Sequence, residues 1–161
     1  MKEEEFALWL QNSTTHYLFF DGASKSNPGT AGAGGLICNS NGDVITEYEW
    51  GLGYASNNRA EAFALLQGLI QLQKLGISKA TIIGDSAIII GLMTSKRNAQ
   101  NLSLQKILER CHSLDQQMKG NQYYHVLRSL NKSADKLANK ACAHSVGHLR
   151  CNGTDHFFFL P

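Results

Sequence analysis

The chain has 161 residues, 43% of them apolar, and a formal net charge of +2 at neutral pH. That length fits one substantial core and not two, and so small a charge neither names nor excludes a polyanionic partner, since nucleic-acid binders show a strong basic excess or a local basic stripe. No apolar run approaches the roughly 20 residues that cross a bilayer, and the opening Met-Lys-Glu-Glu-Glu lacks a basic-then-apolar leader, so an intracellular, soluble protein with no membrane partner is expected.

Residues 1–14 read as an N-terminal extension. The first strand signal is Thr15 to Phe20, an aromatic-rich run ending at Asp21-Gly22. Lys25 to Gly35, with Asn27-Pro28-Gly29 and a Gly/Ala series, reads as turn chemistry before a second strand at Gly34 to Cys38. Asn41-Gly42 is a hairpin signal joining it to a third strand, Asp43 to Trp50. Ala62, Leu65, Leu66, Leu69 and Leu72 then recur at helical spacing until Gly76. A short buried strand is predicted at Ala80 to Gly84, a short helix at Ala87 to Met93, and a longer helix striped by Leu104, Ile107, Leu108, Cys111, Leu114 and Met118. Gln122 to Leu127 reads as a fifth, apolar strand, and a last helix begins near Asn131 with a small-residue face. The order predicts an α/β fold: a five-stranded mixed sheet, its three leading strands antiparallel, with helices on both faces. Residues 15–145 form the expected domain. In the tail, 146–161, the run Phe157-Phe158-Phe159-Leu160 fits docking on the domain, binding to a partner or an artificial chain end, with docking favoured.

Cys38, Cys111, Cys142 and Cys151 lack the close pairing of zinc sites and are expected to be reduced, structural thiols. The acids are more informative. Each has a structural reading: Glu61 follows Asn58 at capping-box spacing, Asp85 precedes a helix as an N-cap would, and Asp135 suits a helix's first turn. Asp21 is harder to explain so, because it ends an aromatic-rich strand where a buried carboxylate is costly without a compensating cation or donors. Asp21 and Asp85 both end strands of one sheet, and Glu61 and Asp135 both lie near helix starts, so all four meet at one sheet edge. Arg59 and Lys136 sit too close to these acids along their helices to face them. Four converging carboxylates repel unless they hold divalent metal, and hard oxygen ligands select Mg²⁺ or Mn²⁺ over zinc.

Four segments carry a resemblance: Phe20-Asp21-Gly22-Ala23-Ser24-Lys25-Ser26-Asn27-Pro28-Gly29, Ser56-Asn57-Asn58-Arg59-Ala60-Glu61, Gly84-Asp85-Ser86 and Asn131-Lys132-Ser133-Ala134-Asp135. In this order the chain resembles type 1 ribonuclease H, in the short form common among plant and archaeal-like sequences and retroelement-derived domains. The resemblance implies a ribonuclease H-like fold and hydrolysis of the RNA strand of an RNA-DNA hybrid. It implies Asp21, Glu61, Asp85 and Asp135 as the acids holding two Mg²⁺ ions, with Mn²⁺ able to substitute, and products ending in 5′ phosphate and 3′ hydroxyl. Gly22, Ser24, Asn27, Ser56, Asn57, Asn58 and Ser86 are implied as substrate contacts through sugar and phosphate; turn and cap chemistry also accounts for the polar ones.

The chain departs from bacterial relatives at Ala87, where several have a hybrid-contacting glutamine, and in lacking a tryptophan- and lysine-rich protrusion before Leu104. Lys96, Arg97, Lys106 and Arg110 are the remaining local cations, as a solvated face or a substrate patch. His125 lies ten residues before Asp135, the count of the family histidine that assists product release, yet it falls in the predicted apolar strand. A structural His125 is therefore favoured, with Arg128 in the following loop as the functional substitute. The protein is expected to be a monomer or part of a larger reverse-transcriptase or retroelement polyprotein. Two rivals stand beside this reading: an inactive binding module, which has no chemical need for four acids, and a same-fold nuclease acting on another nucleic acid, which the first-helix glutamate and the Asn-Pro-Gly loop argue against.

Overall fold

The aromatic-rich run Tyr17 to Phe20 opens the sheet, and the computed structural model describes residues 2–11, 15–95 and 97–159 around it. In chain order the elements are α1 (Glu3–Gln11), β1 (His16–Ser24), β2 (Gly29–Cys38), β3 (Val44–Ala55), α2 (Asn57–Lys74), β4 (Ala80–Gly84), α3 (Ala87–Ser95), α4 (Leu102–Gln116), β5 (Gln122–His125), α5 (Lys132–Ala141), β6 (His148–Cys151) and β7 (Thr154–Phe157), with a 3-10 turn at Arg128–Leu130. They build one mixed sheet in the order β5-β4-β1-β2-β3-β6-β7. The first three strands form an antiparallel meander, while β4 and β5 join parallel to β1 through helical crossovers. No described helix is long and apolar enough to cross a membrane.

Period-two alternation divides β1 between two cores. Leu18 and Phe20 face α2, α3 and α4 in the larger core, with Ile37, Tyr48, Trp50, Leu65, Leu69 and Leu108. Tyr17 and Phe19 face the other way, with Leu36, Ile83, Phe6 of α1 and Ala134 and Leu137 of α5. Helices thus cover both faces, as expected.

The structure corrects the predicted sheet in three places. It has seven strands, not five: residues 148–157 form a hairpin that extends the sheet beyond β3. Phe158 of the tail docks edge-on against Trp50, at 5.6 Å between ring centroids, while Phe157 and Phe159 stay exposed and Leu160 lies outside the described residues. The Gly/Ala series is strand rather than loop, because β2 begins at Gly29 and needs residues without bulk where α5 crosses it: a Cβ on Gly34 would lie 2.3 Å from the Ala138 nitrogen. β5 stops at His125 and is a largely exposed edge strand, not an apolar one. The extension before β1 contains α1, which buries Phe6. All four cysteines are free thiols.

Candidate active site

Parallel pairing of β1 with β4 aligns Phe20 with Gly84, so the next residues, Asp21 and Asp85, emerge side by side at the same sheet edge. Glu61 reaches them from α2, which lies almost on the backbone of β1: a Cβ at Gly22 would stand 2.2 Å from the Ala60 carbonyl carbon and the Glu61 nitrogen. Gly22 is therefore an obligate gap for the helix, and its nearby backbone N–H favours the ionised form of the Glu61 carboxyl. Ligand oxygens of Asp21, Glu61 and Asp85 all lie within 4.8 Å of one another. Asp135, on the first turn of α5, comes at Asp21 from the opposite face, within hydrogen-bonding reach of its carboxyl; it stands outside the mutually close trio.

The capping readings of two acids fail in the structure. Ser56 caps α2 by accepting from the Arg59 nitrogen at 3.2 Å, which leaves Glu61 a turn further in, and Ser86 takes the cap of α3 by accepting from Ile89 N at 3.2 Å. Glu61 and Asp85 are thus free of cap duty, and Glu61 Oε2 and Asp85 Oδ2 are buried with no hydrogen-bond partner. Burial raises the Asp21 carboxyl far above the ordinary carboxylate range, reinforced by the hydrogen bond and charge of Glu61 and then by Asp135 and Asp85. Burial also pushes Glu61 up, to about 7, against the lowering effect of its bond to Asp21. One guanidinium approaches: Arg128 Nε lies 4.0 Å from Asp85 Oδ2 with a side chain 85% exposed. Arg59 turns away to stack over Phe63.

A buried trio of carboxylates with orphaned oxygens and so little compensating charge fits a hard divalent cation, which prefers such all-oxygen donor sets. Among the described residues no other group of His, Cys, Asp or Glu converges as this trio does.

The polar residues around the trio divide by occupation. Ser24 Oγ donates to the Ala55 carbonyl at 2.8 Å, and Asn27 Oδ1 accepts from the Asn57 nitrogen at 2.9 Å, locking the β1–β2 loop to the start of α2. Asn57 and Asn58 are exposed. Arg97, Lys106 and Arg110 are exposed as well, and Lys96 lies outside the described residues.

His125 departs from its predicted setting. It is exposed at the end of β5, paired with Gly84, and its Nε2 lies 3.3 Å from the Asp85 carbonyl oxygen. The premise of a histidine held inside an apolar strand is therefore wrong, and both His125 and Arg128 flank Asp85.

Asn131 is a residue the sequence reading treated only as part of a motif. It is 2% exposed, and its side-chain Nδ2 donates to the Phe20 carbonyl at 2.9 Å, next to Asp21, while its backbone carbonyl accepts from the Asp135 nitrogen at 3.1 Å. Side chain and backbone of this one residue thus tie the strand bearing Asp21 to the helix bearing Asp135. Asparagine just before a helix signals an N-cap, yet this side chain makes no cap bond, which is why helix-start rules pass over its role.

A family model described as reverse transcriptase-like matches residues 19–141, a span that takes in all four acids. A bifunctional protein of Mycobacterium tuberculosis is 34% identical over 122 residues, 75% of this chain and 34% of its own length; the chain thus spans about a third of that relative. The crystal structure of RNase H1 from the archaeon Halobacterium salinarum superposes with a TM-score of 0.75 at 31% identity, covering 79% of this chain and 96% of the archaeal one. LC11-RNase H1, solved in complex with RNA/DNA hybrid, gives a TM-score of 0.75 at 26% identity over 80% of this chain and 96% of its own.

Proposed function

Because the chain belongs to the type 1 ribonuclease H family, we propose that it is an endoribonuclease that hydrolyses the RNA strand of RNA-DNA hybrids with two divalent cations, leaving 5′ phosphate and 3′ hydroxyl ends. The observation that carries this reading is the buried Asp21-Glu61-Asp85 trio with its unpartnered oxygens; likeness to a structure containing RNA/DNA hybrid supports the substrate class. Residues 15–145 are the catalytic unit, acting as a monomer or joined to further domains, as the bifunctional mycobacterial relative suggests.

Asp21, Glu61, Asp85 and Asp135 would hold the two cations, Glu61 and Asp85 at one site and Asp135 at the other, with Asp21 common to both. Mg²⁺, or Mn²⁺ in its place, supplies Lewis-acid activation of water and stabilisation of the departing oxygen. The chain's own part is placement. Asp21 and Asp85 are fixed by strand pairing, Glu61 by the close seat of α2 on Gly22, and Asp135 by the Asn131 tie. No protein nucleophile is needed. Asn27, Ser56, Asn57, Asn58 and Ser86 line the approach and contact sugar and phosphate through groups left over from their turn and cap bonds, giving recognition without base readout. Gly22 and Ser24 serve by keeping that rim in place. His125 and Arg128 flank Asp85 where the product phosphate departs, and the planar guanidinium of Arg128 suits paired hydrogen bonds to a phosphate.

Incubation with labelled RNA-DNA hybrid, double-stranded RNA and double-stranded DNA, each with Mg²⁺, Mn²⁺ or chelator, tests the proposal. Cleavage confined to the RNA of the hybrid and abolished by chelator is expected; cleavage of DNA, or indifference to chelator, overturns it.

A further inference from the structure

The segment from Tyr124 to Asp135 carries His125, Arg128 and Asp135, yet its own hold on the sheet is thin. β5 is a four-residue edge strand bonded to β4 alone. Beyond it, only Val126 is buried before Asn131. Behind this segment, on the face opposite α2, lies α1. Phe6 is buried in the same apolar cluster as Val126 and Ala134, with Leu130 packed against it. Trp9 meets the ring of Tyr124, the neighbour of His125, edge-on at 4.9 Å between centroids. The Tyr17 hydroxyl donates to the Leu10 carbonyl at 2.8 Å, which fastens the end of α1 to β1. A cavity of about 330 Å³ remains between α1, Phe19 and the stretch from Ser129 to Ala134. The segment therefore has space to shift, and the α1 side chains are what limit it. α1 lies before residues 19–141, the part that the family model matches.

We infer that Phe6 and Trp9 are positioning residues for catalysis, bracing the Tyr124–Asp135 segment from behind so that His125 and Arg128 keep their places beside Asp85. The inference rests on the function proposed above. Tyr124 and Val126 bracket His125 directly, whereas Asp135 has the Asn131 tie as a second anchor; the brace therefore acts on turnover more than on metal affinity.

Full-length Trp9→Ala, Trp9→Phe and Phe6→Ala chains test this with three readouts. These are kcat and KM on labelled hybrid at saturating Mn²⁺ well below each melting temperature, amide hydrogen exchange, and the rise in melting temperature on adding Mn²⁺. For Trp9→Ala and Phe6→Ala, kcat is expected to fall by about tenfold, as small misplacements of reacting groups do, with KM little changed. Exchange should quicken at residues 126–131 while β1 and α2 keep the parent's protection, and the Mn²⁺-induced rise should persist. Trp9→Phe, which keeps an aromatic edge against Tyr124, should recover most of the turnover. Parent-like kcat in both alanine variants overturns the inference, as does exchange that quickens evenly over the molecule with turnover falling only in step with unfolding. Should Phe6→Ala not fold, Trp9→Ala, at a partly exposed position, decides alone. A parent that cleaves no hybrid counts against the proposed function instead, and the exchange pattern then decides whether α1 braces the segment.

Discussion

Asp21 concentrates the chemistry because its carboxylate meets Glu61 and Asp85 on one side and Asp135 on the other. Asp21→Asn keeps the size of the side chain and removes the charge, so hybrid cleavage should fall below detection while the metal-free protein melts at or above the parent temperature. Unchanged turnover in that variant, with chelator also harmless, would remove the basis for cation catalysis. His125 and Arg128 make a second, paired test. Both side chains are exposed, so alanine at either position should leave the melting temperature within about 1–2 °C of the parent, as surface substitutions do. Turnover should drop several-fold in each. Rates of both variants on labelled hybrid read this directly, and parent-like rates from either variant would strike that residue from the site. Asn131→Ala removes a buried donor to the Phe20 carbonyl and should cost about 1–3 kcal/mol of stability. It should also weaken Mn²⁺ binding through Asp135; normal Mn²⁺ affinity, measured calorimetrically, would reduce Asn131 to a structural tie.

Elements come together at this site through missing side chains as much as through present ones. Gly22→Ala would drive a Cβ to 2.2 Å from the α2 backbone, and Gly34→Ala would do the same to α5 at 2.3 Å. Overpacking of this kind costs about 1–3 kcal/mol or more. The two variants should differ in consequence: Gly22→Ala lifts Glu61 from its place and weakens cation binding, whereas Gly34→Ala lowers the melting temperature and acts on Asp135 alone. Equal Mn²⁺ affinity in the two would contradict that division. These glycines also mark where sequence reading failed. Period-three and period-four apolar spacing made α2 and α4 legible, the Ala80–Gly84 run gave β4 its bounds, and the residues bordering Asp21 and Asp85 placed both acids at strand ends. Gly29 to Gly35 has turn composition, however, and its strand identity comes from two crossing helices that no local pattern announces. β5 likewise reads as an apolar strand but is a mostly exposed edge strand, so the setting expected for His125, inside an apolar strand, is not the one found. β6 and β7 escaped because strands of four residues leave no periodic trace, and β6, on which β7 folds back, is held by the sequence-distant β3.

At the scale of the whole molecule, the site sets stability against function through protons. Asp21 and Glu61 both have carboxyls raised above the ordinary range, chiefly by burial, so the native chain binds more protons than the unfolded chain wherever the unfolded carboxylates have already ionised. That window opens at about pH 4, where free carboxylates titrate, and runs up to about 7 for Glu61 and higher for Asp21. Within it the stability of the metal-free protein must fall as pH rises, because the slope follows the excess of protons bound by the unfolded state, which here is negative. A divalent cation competes for the same oxygens as those protons, so it binds more tightly as they leave. Mg²⁺ or Mn²⁺ should therefore raise the melting temperature more at pH 8 than at pH 5.5. At about a hundredfold excess over Kd, linkage gives about 2.7 kcal/mol, which for a chain of this size is a rise of roughly 5–11 °C. Asp21→Asn should lose most of that rise at pH 8 and most of the downward slope of the metal-free protein. Thermal melts of parent and variant at both pH values, with and without cation, give all the comparisons needed. A cation effect equal at the two pH values and retained by the variant would mean that the ion binds elsewhere, and the carboxylate trio would then need another explanation for its unpartnered oxygens.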